Sequence, residues 1–195
     1  LVVDCNRPPH ARDFVPESSD GTPVPGNARL CAGERALREA EIHRPFANRV
    51  SAMLAGRRAR GPAALVAVHS FTPVLATQGV PRPWHAGLLF RRDGRLSRTL
   101  MAALLAQDPA LVAALNEPYR VTEDGDYTVP VHGEGQRVAH TLLEIRNDLI
   151  ATPGGQAAWA ERLARALAAA LPATLEGPPC PPPIRRPAIC PPIPR

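Results

Sequence analysis

Two apolar segments of the sequence each carry, near their end, a side chain that could do chemistry. In LVAVHSFTPVL, residues 65–75, small and β-branched residues typical of a buried strand lead to His69 before the chain turns at Pro73. A neutral imidazole at a strand end is a ready ligand for zinc or another transition metal. The alternative is a core histidine that is bonded to the backbone.

The second segment, HTLLEIRNDLI at residues 140–150, places a carboxylate inside an apolar stretch. Glu144 stands between Leu143 and Ile145, where an unpaired carboxylate is costly to bury and tends to hold a proton. A metal, a guanidinium or a catalytic role would explain its presence. Because strand side chains alternate, Arg146 shares its face, and a Glu144–Arg146 ion pair is the structural alternative.

Three arginines in turn-bounded contexts are candidates for binding an anionic substrate: Arg7 in DCNRPP, Arg82 in VPRPWH and Arg146 in EIRND. The guanidinium fork binds both oxygens of a carboxylate. Surface solvation or a local ion pair is the alternative for each. Ser70 does not form a triad with His69, since adjacent strand residues point to opposite faces. The sequence contains no phosphate-binding loop and no nucleophile elbow.

The elements that must position these side chains alternate between strands and helices. The residue pattern predicts strands at 1–4, 63–69, 84–90 and 138–145. It predicts helices at 34–60, with a break or kink at Pro45, and at 96–106, 109–115 and 155–171. A long loop is expected over residues 7–27. This alternation predicts an α/β fold with a largely parallel sheet, in which ligands bind at the carboxyl ends of the strands.

Composition limits the classes of partner. The chain has 195 residues and a net charge of +5, and its basic side chains are all arginine. These arginines are scattered and lack interleaved aromatic residues, so nucleic acid is not an expected partner, although a basic nucleic-acid-binding protein is the weaker rival. No apolar run is long enough to span a membrane. Four cysteines without a CxxC pair indicate reduced thiols, and the expected location is the cytoplasm.

Residues 172–195 are rich in proline and are predicted to form a disordered tail after a single domain over residues 1–171. Before that tail, several motifs resemble the N-formylglutamate amidohydrolase family. VVDCNRPP, VAVHSFTPVL, RPWHAGLLF, NEPY and LLEIRNDLI occur in the order that the family shows. The resemblance implies a three-layer α/β/α sandwich with a mostly parallel sheet, similar to the zinc-dependent exopeptidases.

The implied activity is metal-dependent hydrolysis of N-formyl-L-glutamate, or of a similar N-acyl acidic amino acid, to formate and L-glutamate in histidine degradation. By the resemblance, His69 matches a metal ligand and Glu144 matches the catalytic acid/base, with a divalent metal, most simply zinc, as cofactor. A metal polarises the formyl carbonyl, and a carboxylate carries the proton of the attacking water to the departing nitrogen. Arg7, Arg82 and Arg146 suit a small-molecule substrate with two carboxylates.

The sequence departs from the family in ways that bear on the metal. Family members carry an earlier segment with a His-Ala-Gly motif, whereas this chain opens in LVVD, so we expect N-terminal strands and upstream metal ligands to be missing. Residues 45–47 are PFA where the family tends to have PYH. His132, expected in a loop, and His140, expected before the strand core, are the remaining candidate ligands. We expect weak or no zinc binding, and the alternative function is a non-catalytic remnant.

Overall fold

A mixed four-stranded sheet forms the centre of the protein, whose computed structural model describes residues 2–176. A small hairpin pairs β1 (Ser18–Ser19) with β2 (Thr22–Pro23), and the main strands are β3 (Ala64–Phe71), β4 (Ala86–Leu89), β5 (Ala113–Leu115) and β6 (Ala139–Arg146). The order across the sheet is β3, β6, β4, β5. β3 and β6 are parallel, as are β4 and β5, whereas β6 and β4 are antiparallel. The predicted, mostly parallel sheet is confirmed.

Helical layers cover both faces of the sheet and give the three-layer α/β/α fold. The helices are α1 (Ala32–Arg38), α2 (Arg44–Arg58), α3 (Arg95–Gln107) and α4 (Pro153–Glu176). α3 and α4 pack against each other on one face. The helical turn Thr128–Glu134 packs against β6 and β3 on the other face, and α2 joins it through a 3.2 Å hydrogen bond between Ser51 and His132.

Alternate residues of β6 enter two different hydrophobic clusters. Leu143 is fully buried in the cluster that contains Leu100 of α3 and Trp159 of α4. Leu142 points to the opposite face and packs with Val129 of the helical turn. Because both faces of the strand are covered, seven of its eight residues are buried, and the one carboxylate among them requires a local reason.

The predicted strand at residues 1–4 is wrong over its described residues, 2–4, which are not paired with any strand of the described chain. Val3 is instead buried in a small cluster with Phe14 and Val15. The peptide N–H of Asp4 donates to the Phe14 carbonyl at 2.9 Å. The apolar side chain of Val3 is thus buried by a local loop, which removes the need for pairing at the sheet.

The predicted helix at 34–60 is present, but Pro45 does not break it. A π-helical turn, Glu39–His43, joins α1 to α2, and the peptide N–H of Arg44 donates to the Glu39 carbonyl five residues back. Pro45 then falls in the first turn of α2. The helix is continuous through Pro45, and the irregularity next to this residue, which has no N–H to donate, is the π-turn that precedes it.

The predicted helix at 109–115 is wrong. The peptide N–H of Leu111 donates to the Asp108 carbonyl at 3.0 Å and closes a turn. The next residues form β5, in which Ala113 pairs with Ala86 and Leu115 with Leu88. Alanine and leucine are good helix formers, but tertiary contacts readily override intrinsic propensity in so short a segment, and pairing with the available edge of β4 decides its conformation.

Helix α4 is longer than the predicted helix at 155–171 and continues through Pro172 to Glu176. Residues 172–176 are therefore helical and do not belong to the predicted tail. The rest of that tail, 177–195, lies outside the described residues. Within residues 2–176, no helix is both long enough and apolar enough to cross a membrane.

Candidate active site

His69 and Glu144 occupy matching positions on two neighbouring parallel strands. The two residues are partners in the register of β3 and β6, so their side chains share one face of the sheet. Neighbouring strands lie about 4.8 Å apart. Both side chains line a single cleft of about 540 Å³ near the carboxyl ends of these strands. The structure thus brings the two candidate residues together in one cleft.

The Glu144 carboxyl group is buried without a full set of partners. Only 6% of the residue is exposed, and no group in the described part of the chain hydrogen-bonds to its Oε2 atom. Burial and the nearby charge of Asp126 raise the pKa of Glu144 to about 7, although Arg7 and Arg82 act in the opposite direction. A carboxyl group with a pKa near neutrality can take a proton and return it.

The alternative explanation for Glu144, an ion pair with Arg146, is not realised. The Arg146 guanidinium binds Asp148 instead, through Nε at 2.8 Å and Nη2 at 3.2 Å, and it also donates to the Pro83 carbonyl at 3.2 Å. Arg146 is not among the residues that line the cleft. Its hydrogen bonds stabilise the turn after β6, and its side chain lies outside the cleft.

His69 is a half-buried imidazole beside Glu144. Burial lowers the pKa of His69; the charge of Asp4 partly opposes this effect, and that of Arg7 adds to it. The ring is therefore neutral around pH 7, with a lone pair free for a metal or a proton. This is the state that the predicted metal-ligand role requires.

One wall of the cleft is a hydrogen-bond network around Asp126. The Asp126 carboxylate accepts hydrogen bonds from Asn6 Nδ2 at 3.1 Å, from Arg7 Nη1 at 3.3 Å and from the Thr122 peptide N–H at 2.9 Å. Arg7 also forms an ion pair with Asp13 at 2.6 Å. Arg7 lies in the cleft, as the sequence predicts, but two protein carboxylates already share its charge.

A second wall of the cleft is formed by the loop after β5, which contributes Tyr119 and Arg120. Arg82 approaches the cleft through Tyr119: its Nη1 donates to the tyrosine Oη at 2.8 Å, and its guanidinium lies 5.0 Å from the centre of the ring. Arg82 is not itself a lining residue. Arg82 therefore contacts the phenol group that lines the cleft, and does not line the cleft itself.

The described residues do not complete a metal site. A catalytic zinc normally has three protein ligands, and within residues 2–176 no group of three His, Cys, Asp or Glu side chains is arranged to hold a metal ion. His132 and His140 are buried, at 1% and 0% exposure, and neither lines the cleft. His132 lies in a helical turn and not in the predicted loop, whereas His140 is the second residue of β6 and lies within the predicted strand at 138–145. The donor set in the cleft therefore does not fit a resident zinc ion.

Asp126, Tyr119 and Arg120 are cleft residues that the sequence alone does not identify. They lie in loops without hydrophobic periodicity, so nothing in the pattern assigns them to one site. The only available signal is the NEPY motif at residues 116–119, which directly precedes Arg120. That motif supports the family resemblance, but it does not predict that the neighbouring side chains line the cleft.

An α/β fold that places a buried carboxyl group of raised pKa beside a neutral imidazole, near the carboxyl ends of two strands, has side chains that hydrolases use. The profile of the family described as N-formylglutamate amidohydrolase matches residues 1–151. This chain therefore belongs to the N-formylglutamate amidohydrolase family. The family suggests that the protein is an amidohydrolase.

A solved structure supports the same relationship. The crystal structure of gene product Atu2144 from Agrobacterium tumefaciens is 36% identical to this chain and superposes with a TM-score of 0.76. The match covers 86% of this chain and 67% of the Agrobacterium chain. Among curated proteins, none matches this chain in sequence.

Proposed function

We propose that this protein hydrolyses the amide bond of N-formyl-L-glutamate, or of a similar N-acyl acidic amino acid, to the free acid and L-glutamate. The observation that carries the proposal is Glu144, a buried carboxyl group with an unpartnered Oε2 atom among the described residues and a pKa raised to about 7. Its position beside His69 in a cleft, together with the family membership of the chain, supports a hydrolytic reaction.

Glu144 supplies the proton transfers of this reaction. As a carboxylate it removes a proton from a water molecule in the cleft, and the resulting hydroxide attacks the formyl carbon. The C–N bond then breaks while the same proton passes from Glu144 to the departing nitrogen. The products are formate and L-glutamate, whose amino group is now free. A pKa near 7 suits both halves of this cycle, because neither protonation state is strongly favoured at neutral pH.

The positive charges around the cleft suit an acidic substrate. Arg7 lines the cleft, and Arg82 reaches it through the Tyr119 hydroxyl. A substrate with two carboxylates would be attracted by these charges, although each guanidinium already has a protein partner. Such a ligand is a small molecule, so the proposal requires neither nucleic acid nor a membrane.

A divalent metal, most simply zinc, is part of the proposal through the family alone. His69 would be its one imidazole ligand from the cleft. Holding the ion would need ligands that the described residues do not supply. A cytoplasmic location is proposed on the free thiols of Cys5 and Cys31, which suit a reducing compartment.

The absence of a three-ligand group within residues 2–176 favours one alternative, a non-catalytic domain that retains the fold without the chemistry. Release of formate from N-formyl-L-glutamate separates the two functions. The purified chain is assayed with zinc, without zinc and with a chelator, and Glu144→Gln serves as the matched control. We expect formate release from the wild-type chain and none from the variant, with a weak response to zinc because the described residues supply no three-ligand site. If the wild-type chain releases no formate at any zinc concentration, the non-catalytic alternative is favoured.

A further inference from the structure

We infer that Arg120 binds the side-chain carboxylate of the acidic substrate and so determines the preference of the cleft for acidic over neutral amino acids. This inference rests on the proposed function and assigns a role to a residue that the sequence did not identify. It follows from three properties of Arg120: a charge that no protein group shares, a fixed position, and neighbours that leave one place for an anion.

The charge of Arg120 is available for a ligand, unlike that of the other arginines near the cleft. Arg7 is paired with Asp13 and Asp126, and Arg146 is paired with Asp148. Arg82 donates to the Tyr119 hydroxyl and stacks on its ring. Within the described chain, Arg120 lines the cleft, is exposed, and makes no hydrogen bond or ion pair with protein. A carboxylate that enters the cleft therefore meets an unshared guanidinium at Arg120.

The loop that carries Arg120 is anchored to the sheet and not to the cleft floor. Asn116, with a φ of 56°, donates its peptide N–H to the Leu88 carbonyl at 3.1 Å and accepts a hydrogen bond from the Phe90 peptide N–H at 2.9 Å. The Glu117 carbonyl lies directly over Gly87, where any Cβ atom would clash with it. These contacts fix the start of residues 116–120 against β4, so Arg120 is held at the cleft before a ligand arrives.

Tyr119 offers a second hydrogen bond for the same carboxylate. Its oxygen accepts the hydrogen bond from Arg82, which leaves its own O–H hydrogen free to donate. Asp4, Asp13 and Asp126 line the same cleft and would repel a carboxylate placed near them. The favourable position for a side-chain carboxylate is therefore between the Arg120 guanidinium and the Tyr119 hydroxyl.

The test is the preference of the enzyme for N-formyl-L-glutamate over N-formyl-L-glutamine, which has nearly the same shape but a neutral side chain. In Arg120→Gln, we expect the ratio of the two kcat/KM values to fall by about 30-fold, mainly through a higher KM for the acidic substrate, because a charge-assisted hydrogen bond is lost. The matched control is Arg49→Gln, at an exposed arginine of α2 outside the cleft, and the ratio should not change there.

Calorimetric titration separates the failure of this inference from the failure of the proposed function. Both ligands are titrated into Glu144→Gln protein, which does not turn them over, with and without Arg120→Gln. Weaker binding of N-formyl-L-glutamate by about 30-fold, with little change for N-formyl-L-glutamine, supports the role of Arg120 even if the wild-type chain hydrolyses neither. An unchanged preference in both the kinetic and the calorimetric experiments would overturn the inference and leave the hydrolytic function standing.

Discussion

Two glutamates, Glu134 before β6 and Glu144 within it, are buried to nearly the same extent but differ in their hydrogen-bond partners. Glu134 is 3% exposed and is surrounded by donors: Arg91 Nε lies at 3.0 Å and the Arg92 peptide N–H at 3.1 Å, and Arg91 makes a further, very short contact. Glu144 is 6% exposed, and no described group bonds to its Oε2. Burial is thus common to both, and only hydrogen bonding separates them.

This difference shows how the fold divides its carboxylates between structure and chemistry. A buried carboxylate that accepts hydrogen bonds from a guanidinium and a peptide N–H holds elements together, here the β4–α3 connection and the helical turn 128–134. A buried carboxyl group without such donors has a raised pKa and is available for proton transfer. The four predictions below test this division, from the largest expected effect to the smallest.

The largest effect is expected from Glu144→Gln on turnover. The amide preserves shape but cannot carry the proton, so kcat should fall by about a hundredfold or more. The fold should be intact, which circular dichroism checks. If the variant keeps near-normal kcat with N-formyl-L-glutamate, Glu144 is a structural residue and the contrast with Glu134 has no chemical meaning.

The matching substitution, Glu134→Gln, should act on stability. It removes the charge that Glu134 presents to the half-buried Arg91 guanidinium, which keeps only its 2.9 Å ion pair with the exposed Glu123, and the free energy of unfolding should fall by about 2 kcal/mol. Urea denaturation followed by circular dichroism measures this change. A loss below about 1 kcal/mol would mean that the Arg91–Glu134 pair is not needed by the fold.

The pH dependence of stability distinguishes the two carboxylates further. Because burial raises the pKa of Glu144 from 4.5 to about 7, the folded protein binds more protons than the unfolded chain between these values. Its contribution to stability is complete below pH 4.5, decreases as the pH rises, and is lost above pH 7. Relative to wild type, Glu144→Gln should therefore gain about 3 kcal/mol at pH 8 and almost nothing near pH 4. Paired denaturation curves at the two pH values provide the measurement, and an equal difference at both would contradict the raised pKa.

The smallest effect is expected from Arg146→Gln, which tests the ion pair that Glu144 does not make. Asp148 is half-exposed, so losing its pair with Arg146 should cost about 0.5 kcal/mol. The pH of half-maximal kcat, which we expect near 7 from the raised pKa of Glu144, should be the same in the variant and the wild type. A shift of that midpoint would place the Arg146 charge close enough to Glu144 to act on it.

The sequence was sufficient to predict the strands that carry the candidate residues, because His69 follows the apolar run at residues 63–68 and Glu144 stands between Leu143 and Ile145. It was insufficient where tertiary contacts decide the conformation. Residues 113–115 form a strand because they pair with β4. The pattern of a short Ala-Leu segment does not indicate which strand it will pair with. Arg120 reaches the cleft because Asn116 adopts a left-handed conformation and Gly87 leaves space, neither of which a linear pattern reveals.

The attachment of residues 116–120 to β4 has a consequence for how this cleft could change over evolution or in the laboratory. The contacts that fix the loop are made by Asn116 and Glu117 to the β4 backbone, whereas the side chain at position 120 projects beyond them. Position 120 can thus be exchanged without disturbing the neighbouring proton-transfer group on β6. A library of substitutions at position 120 alone would sample new amino-acid substrates and would leave Glu144, the proposed acid/base, unchanged.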